Sequence, residues 1–443
     1  MRKRKRLKIS SFQTALLGFL GVILLGALLL MLPISSKARV VTPFIDALFT
    51  STSAVCVTGL VVFDTATYWS LFGQALILLL IQIGGLGVIM VATSIALLSG
   101  KKLGIFGKDA MKETFATTGI GGMERLIGFV LKGVLILEAA GALSLLPAFC
   151  GDYGFHGVWL SLFHAVSAVC NAGFDIMGNL EGEFSSMTVY AGAPYVNLIF
   201  MFLIIMGGIG FLTWEDFFKH KLHFRKYKTQ SKVILFTTGL LILIPALCFF
   251  FFEFNGEPAS RRVWLSLFHS VTPRTAGFNT ADVGAMSGLG QRITIFLMLV
   301  GGSPASTAGG MKTTTLAILV ASMIAVFRKR DDVSFFRRRV ANDMIKKAAA
   351  LLVMYLFLFF GCGAIVSLVE GIPIEKCVFE TASAIGTVGL STGITPSLGT
   401  LSKCLLMVLM FFGRVGGLTL IYAAVGRDTI DESRYPIDQI TVG

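Results

Sequence analysis

The chain has 443 residues, of which 55% are hydrophobic and only 14% are charged, whereas a soluble domain carries about 25% charged residues. This composition excludes a soluble globular protein, and the apolar runs along the whole chain indicate a polytopic membrane protein. The net charge of +13 is interpreted as membrane topology and not as nucleic-acid binding, because the basic residues lie in short loops between apolar runs.

The apolar runs of spanning length occur in four pairs, which in chain order are 12–34 and 69–98, 126–150 and 190–216, 231–253 and 289–326, and 343–369 and 403–425. Between the runs of each pair lies a stretch that begins with Phe and ends with Gly nine or ten positions later: Phe49–Gly59, Phe163–Gly173, Phe268–Gly277 and Phe379–Gly389. Each stretch predicts a helix too short to span a bilayer, followed by an extended segment.

The predicted fold class is therefore an all-α polytopic membrane protein with four helix–pore helix–filter–helix repeats. It has eight membrane-spanning helices and four re-entrant pore helices in a pseudo-fourfold arrangement. The predicted segments are a basic N-terminus (1–11), four pore repeats (12–100, 101–217, 218–328 and 329–426) and a C-terminal tail (427–443).

Lys and Arg cluster before the first repeat and at every junction between repeats. All junctions and both termini are then predicted to face the cytoplasm of a plasma-membrane protein, so the short helices enter and leave on the outer side. The segment 151–189 supports this topology because it contains no Lys or Arg, whereas 254–292, with four Arg, fits less well.

The extended segments are predicted to form a selectivity filter, because glycine permits backbone dihedrals that a side chain forbids, and four such segments can form a ring of carbonyls. The filter residues are Val57, Thr58, Gly59, Leu60, Asn171, Ala172, Gly173, Phe174, Thr275, Ala276, Gly277, Phe278, Thr387, Val388, Gly389 and Leu390. None carries a carboxylate, which favours a monovalent cation over Ca²⁺. The alternative is that glycine-rich turns recur by composition alone.

The second helix of each repeat contains a five-residue segment rich in small residues, here called a small-residue mark, at 83–87, 206–210, 300–304 and 412–416. Close helix packing is the simpler interpretation of the first two marks. The third begins a loop predicted to gate the path, with a simple kink as the alternative: Gly301, Gly302, Ser303, Pro304, Ala305, Ser306, Thr307, Ala308, Gly309 and Gly310. Its small residues predict a movable backbone with few packing contacts. Arg414 in the fourth mark is predicted to act at the gate, or to be held structurally by a carboxylate or by carbonyls.

The filter glycines, the 301–310 loop and Gly413-Arg414 together make the chain resemble the Trk/Ktr/HKT superfamily of potassium transporters. Leu32-Pro33-Ile34, the residues 45–50 and the closing Arg434-Tyr435-Pro436 resemble the Ktr membrane (pore-forming, B) subunit. The resemblance implies a homodimer with one pore per subunit, embedded in membrane lipid. It also implies a cytosolic ring of RCK/KTN-type regulatory subunits that bind ATP or ADP, so this chain would bind no nucleotide itself.

Two classes of function follow from these features. The first is uptake of K⁺ through a carbonyl-lined filter, and the second is Na⁺- or H⁺-coupled potassium symport with alternating access. An enzyme is not predicted, because the sequence contains no catalytic triad order, Walker loop or dinucleotide fingerprint. The seven Cys and five His neither pair as CxxC nor cluster, so no transition-metal site is predicted.

Overall fold

The computed structural model describes residues 11–87, 90–91 and 123–417, and these residues form a predominantly helical protein. The predicted basic residues 2–8, the junction residues 101–112 and the tail 427–443 lie outside this part of the chain. The predictions that concern their topology therefore stay predictions.

The first repeat contains helices α1 (Ser11–Leu30), α2 (Phe44–Val55), α3 (Thr65–Tyr68) and α4 (Leu71–Leu86), with a 3-10 turn at Pro33–Ser35. The second contains α5 (Met123–Tyr153), α6 (His156–Val169), α7 (Gly178–Glu181), α8 (Pro194–Gly208) and α9 (Phe211–His220), with a 3-10 turn at Thr188–Tyr190.

The third repeat follows a 3-10 turn at Phe224–Lys226 and contains α10 (Thr229–Cys248), a π-helical turn (Phe249–Glu253), α11 (Ala259–Val271), α12 (Gly288–Leu299) and α13 (Thr313–Phe327). A hairpin of β1 (Ser334–Phe335) and β2 (Arg338–Arg339) pairs Ser334 with Arg339 and leads to the fourth repeat. That repeat contains α14 (Asn342–Glu370), α15 (Ile374–Gly386) and α16 (Thr400–Val415), with a 3-10 turn at Thr395–Ser397.

Helix lengths separate two classes of apolar helix. Within the described residues, three helices are long and apolar enough to cross a membrane by themselves: Arg125–Tyr153, Thr229–Glu253 and Asn342–Glu370. The short helices α2, α6, α11 and α15 have 12, 14, 13 and 13 residues. At 1.5 Å per residue none of these four reaches across a hydrocarbon core of about 30 Å.

The run 190–216 is not one helix, which corrects the sequence prediction. Helices α8 and α9 meet at an angle of 100°, because Gly210 between them adopts φ +94°, outside the helical region. Helices α4 and α16 end in the same manner at Gly87 (φ +86°) and Gly416 (φ +89°). The last glycine of these marks therefore ends a helix, a role that the packing interpretation does not include.

Packing joins the repeats in a closed cycle. Each first helix packs on the short helix of its own repeat: α1 on α2, α5 on α6, α10 on α11 and α14 on α15. Each second helix packs on the short helix of the next repeat: α4 on α6, α8 on α11, α12 on α15 and α16 on α2. The last contact returns from the fourth repeat to the first, so the short helices surround a common centre.

The Phe that begins each repeated stretch anchors its short helix. Phe49, Phe163, Phe268 and Phe379 are among the largest fully buried side chains, with at most 1% exposure. Because lipid is as apolar as the protein core, such a side chain stabilises a membrane fold through close van der Waals packing. The repeated Phe therefore fixes each short helix in the core, and with it the segment that follows.

Candidate functional site

The four filter glycines face one another in a ring of backbone. A Cβ atom built on each glycine would lie under 3 Å from a carbonyl oxygen of the next repeat. These distances are 2.5 Å from Gly59 to Ala172, 2.7 Å from Gly173 to Ala276, 2.2 Å from Gly277 to Val388 and 2.3 Å from Gly389 to Thr58. The ring closes from the fourth repeat to the first, and no side chain fits between its members.

Each segment in this ring has the same unusual backbone. The first filter residues, Val57, Asn171, Thr275 and Thr387, have φ of 57°, 58°, 72° and 50°. The glycines two positions later have φ of 89°, 66°, 82° and 93°, and the residues between them are not in the left-handed region. Such alternation turns successive carbonyls to one side, whereas a regular strand alternates them. A left-handed non-glycine residue costs about 1–2 kcal/mol, so the surrounding contacts must hold it.

A Ser or Thr four positions after the motif Phe supplies one of those contacts in every repeat. Its backbone carbonyl accepts a hydrogen bond from a backbone N–H of the filter. The four pairs, with the donor first, are Thr58 and Ser53, Ala172 and Ser167, Ala276 and Thr272, and Val388 and Ser383. Its hydroxyl also bonds to the filter. Ser53 and Ser383 accept from the glycine N–H at 3.1 and 3.0 Å, and Ser167 and Thr272 donate to the carbonyls of Phe174 and Phe278 at 2.7 and 2.5 Å.

In three of the four stretches this residue is the Ser of a Ser-Ala pair, and no role was assigned to it from the sequence. Its repetition at one spacing was the available signal. The third stretch is one residue shorter than the others. The structure absorbs the deletion between Thr272 and Ala276, which are four residues apart instead of five.

Two filter hydroxyls have no hydrogen-bond partner among the residues that the structure describes. The Oγ1 atoms of Thr58 and Thr387 are buried and unpaired, whereas the Thr275 hydroxyl lies 3.3 Å from the Asn171 amide. An unsatisfied buried hydroxyl costs about 1–3 kcal/mol. A cation ligand is one role that explains such a group.

A cavity of about 340 Å³ opens on one side of the ring. The ring glycines line it together with three acidic residues, Asp64, Asp175 and Asp282. Burial raises the pKa of the Asp175 carboxyl to about 7, hydrogen bonds from the Met177 N–H and the Ser186 hydroxyl oppose the shift, and the Asp64 carboxylate adds to it. Among the described residues that line it, the mouth of the ring thus has carboxyl groups and no Lys or Arg.

The loop 301–310 lies between α12 and α13 and does not line this cavity. It meets the ring at one of the first filter residues, because a Cβ atom built on Gly309 would lie 2.1 Å from Thr387 Oγ1. Its backbone N–H groups donate to two neighbouring repeats, from Ser303 to Gly208 at 2.9 Å, from Thr307 to Gly207 at 3.2 Å and from Gly310 to Gly413 at 3.2 Å. The Thr307 hydroxyl donates to the Val169 carbonyl at 3.0 Å. The expectation of few packing contacts is wrong, because residues without large side chains let the loop backbone approach its neighbours closely.

Arg414 joins this loop to the first repeat. Its guanidinium donates to the Thr307 carbonyl in the loop and to the carbonyls of Gly84 and Gly85 at the end of α4. Its partners are carbonyls, and among the described residues it forms no ion pair with a carboxylate. Lys312, to which the sequence interpretation gave no role, donates to the loop carbonyls of Ala308 and Gly309 at 2.9 and 3.3 Å.

An ion pair closes the cycle of repeats. Lys403 Nζ on α16 lies 2.8 Å from Asp46 Oδ1 on α2, and the two side chains are 11% and 12% exposed. The two residues are 357 positions apart, and nothing in the sequence near either residue indicates their pairing. The pair connects the last helix of the fourth repeat to the first turn of the short helix in the first.

Comparison with known proteins gives consistent matches over nearly the whole chain. A family model described as TrkH, cation transport protein, matches residues 10–431. The potassium/sodium uptake protein NtpJ of Enterococcus hirae is 38% identical over 455 residues, covering 100% of this chain and 99% of that protein. The Ktr system potassium uptake protein B of Bacillus subtilis is 38% identical over 438 residues, covering 97% and 96%.

A solved structure shares the fold. The crystal structure of the potassium transporter TrkH from Vibrio parahaemolyticus superposes with a TM-score of 0.73 over 95% of this chain and 86% of that chain. The sequences are 19% identical, so this likeness concerns the fold alone.

Proposed function

Because the chain belongs to the TrkH family of cation transport proteins, we propose that it takes up K⁺ through the ring of filter carbonyls. The resemblance to the Trk/Ktr/HKT superfamily is thereby confirmed, and relatives 33–38% identical are named Ktr system potassium uptake protein B. The observation that carries the proposal is the closed ring of four glycines, each against a carbonyl of the next repeat.

K⁺ is the expected ion because the ring offers only neutral oxygen ligands. Carbonyls that line a narrow path replace the hydration shell of an alkali cation, whereas Ca²⁺ sites in proteins rely on carboxylates. The unpaired hydroxyls of Thr58 and Thr387 add two further oxygen ligands in the filter. The acidic mouth raises the local cation concentration next to the ring.

In the membrane, the cycle of packing contacts supports eight spanning helices around four re-entrant pore helices in pseudo-fourfold order. Re-entrant backbone at membrane depth is tolerated where protein buries it or where it lines a water-filled path. The ring meets this condition. The proposed location is the plasma membrane, with both termini in the cytoplasm.

The loop 301–310 and Arg414 form the proposed gate on the side of the ring away from the acidic mouth. A guanidinium stays charged in a protein, so Arg414 repels a cation that leaves the filter. A displacement of the loop breaks the hydrogen bond of Arg414 to the Thr307 carbonyl and leaves the guanidinium held only by the carbonyls of Gly84 and Gly85. One movement therefore changes both the steric and the electrostatic barrier.

Regulation is proposed to come from partners. The chain is expected to form a homodimer and to dock on a cytosolic ring of RCK/KTN-type subunits, which would bind ATP or ADP. The word "system" in the name of the Bacillus subtilis relative supports an assembly of more than one kind of subunit.

Uptake of K⁺ and Na⁺ in cells that lack their own potassium uptake tests the proposal. The chain should restore K⁺ uptake, with K⁺ strongly preferred over Na⁺. Gly21→Ala is the expression control, because its added methyl group meets nothing within 4 Å. Equal uptake of both ions, or no K⁺ uptake with normal expression, would reject the proposal. The reversal potential of the K⁺ current in proteoliposomes separates the pore from the coupled symporter, since an imposed Na⁺ or H⁺ gradient shifts it only when K⁺ movement is coupled to that ion.

A further inference from the structure

Glu138 is a buried carboxyl group near the middle of a membrane-spanning helix. It lies on α5, within the span Arg125–Tyr153, and is 5% exposed. An ionisable side chain at this depth is expensive to bury and marks function more often than packing. The proposed transport path gives Glu138 no role.

The groups that contact Glu138 are hydrogen-bond donors without charge. Gln82 Nε2 on α4 donates to Oε2 at 3.2 Å. The Cys170 thiol at the end of α6 lies 3.8 Å from Oε1 and 3.7 Å from Gln82 Oε1, and its one hydrogen can be donated to either oxygen. Among the described residues Glu138 forms no ion pair with Lys, Arg or His. A carboxylate buried without a cation carries a large desolvation cost, which binding a proton removes.

A metal ion is a poorer occupant than a proton. An alkali or divalent cation requires several oxygen ligands, whereas a thiol and an amide N–H point at this carboxyl group. The described residues also contain no group of three or more His, Cys, Asp or Glu that could hold a metal.

Glu138 is connected to the proposed path by one layer of side chains. Its partner Cys170 immediately precedes the filter residue Asn171. A Cβ atom built on Gly85 would lie 2.6 Å from Cys170 Sγ, and the Gly85 carbonyl accepts from Arg414 Nη2 at 3.0 Å. The polar groups around Glu138 are therefore Gln82 on α4 and the Cys170 thiol at the end of α6. The Arg414 guanidinium lies farther away, on the other side of Gly85. Helix α8, which also packs on α5, carries no charged residue.

We propose that Glu138 is a proton-binding site whose charge controls K⁺ passage through the adjacent filter. Ionised, it places a negative charge beside the second filter segment and favours the cation. Protonated, it removes that charge. This inference rests on the proposed potassium transport and adds a regulatory ligand, the proton, to the same path.

The size of the effect follows from the separation. A unit charge about one helix diameter from the ion, roughly 10 Å, acts through an effective dielectric of about 20. This interaction changes ion affinity by roughly tenfold. Apparent K⁺ affinity in proteoliposomes should therefore fall by up to about tenfold from alkaline to acidic pH.

Glu138→Gln keeps the shape of the side chain and removes the proton site. The variant should transport K⁺ with an affinity that changes much less with pH and stays near the acidic value of the wild type. Glu375→Gln, at an exposed position, is the matched control and should keep the wild-type pH profile. The Asp175 carboxyl at the mouth is present in all three proteins, so its titration cancels in the comparison.

Infrared spectroscopy provides a readout that does not depend on transport. The C=O band of a protonated carboxyl group should grow on acidification of the wild type and be smaller in Glu138→Gln. Identical pH profiles, or identical infrared changes, in the wild type and Glu138→Gln would overturn the inference. If Glu138→Gln does not assemble, Glu138→Asp keeps the acid and must shift the midpoint of the pH profile, and an unshifted midpoint would overturn it too. Absence of K⁺ flux at every pH rejects the transport proposal instead, while the infrared band still decides whether Glu138 titrates.

Discussion

Replacing Gly59 by Ser tests whether the glycine ring sets ion selectivity. Gly59 has φ +89°, and a Cβ atom there would lie 2.5 Å from the Ala172 carbonyl oxygen and 3.1 Å from Gly173 Cα. Real Cβ contacts essentially never fall below 3.0 Å, so the Ala172 carbonyl must move by at least 0.5 Å, the difference between these distances. The displaced group is backbone, which cannot rotate away as a flexible side chain can.

The energetic scale follows from the same geometry. A residue held in a sparsely populated backbone region costs about 1–3 kcal/mol, and the moved carbonyl no longer matches the carbonyls of the other repeats. If the whole cost falls on K⁺ coordination, the K⁺/Na⁺ ratio drops by roughly 5- to 150-fold. A smaller ion tolerates a loosened ring better, so Na⁺ uptake should change less than K⁺ uptake.

Competitive uptake of K⁺ and Na⁺ at equal expression measures this ratio. Gly393→Ser is the matched control, because Gly393 has the same φ of +89° but nothing within 4 Å of an added Cβ. Gly393→Ser should keep the ratio that Gly59→Ser loses. An unchanged ratio in Gly59→Ser with normal expression would refute the filter assignment, as would an equal loss in both variants.

Four further changes test other parts of the site. Arg414→Gln keeps hydrogen-bonding capacity but removes the charge, so uptake kinetics should show changed K⁺ affinity or maximal flux with the dimer intact. Poor expression would indicate a structural role for Arg414. Normal expression with unaltered kinetics would contradict both the gate role and the structural role. Deleting 304–309 should raise flux and weaken its dependence on the regulatory subunit, whereas lower flux with normal assembly would make the loop part of the path. Lys403→Met leaves the Asp46 carboxylate buried without its cation and should lower the unfolding free energy by about 3–5 kcal/mol. Thermal melting in detergent measures this loss of stability, and an unchanged melting temperature in Lys403→Met would contradict the prediction. The double variant Lys403→Met with Asp46→Leu should recover much of the loss. Ser383→Ala removes the hydroxyl that accepts a hydrogen bond from the Gly389 N–H and should cost about 1–3 kcal/mol, seen as a loss of K⁺/Na⁺ selectivity in competitive uptake; full selectivity would show that this hydroxyl is dispensable.

The ring could be located from the sequence because its determinants are local and repeated. A buried Phe, a Ser or Thr and a Gly return at nearly constant spacing in four stretches. Each stretch forms a short helix followed by a segment with two left-handed residues. The likeness to known transporters was visible for the same reason, since the filter glycines, the 301–310 loop and Arg414 are read directly from the chain.

Features that depend on contacts between repeats could not be predicted. Gly210 is one of several glycines in an apolar run, and nothing near it in the sequence distinguishes it. It has a positive φ and lies close to the loop, because a Cβ atom built on Gly210 would lie 2.6 Å from the Pro304 carbonyl oxygen. The pair of Asp46 and Lys403 joins positions from opposite ends of the chain, and neither has a local sign of the other. Glu138 was not singled out, because a single acid in an apolar run acquires meaning only when its buried partners are known.

A crystal grown with Rb⁺ in place of K⁺ tests the carbonyl ring most directly, because the anomalous signal of Rb⁺ locates the ion itself. The proposed function predicts an anomalous peak at the centre of the ring formed by Gly59, Gly173, Gly277 and Gly389, within coordinating distance of backbone carbonyls from all four repeats. A peak confined to the outer cavity beside Asp175, with none at the centre of the ring, would contradict it.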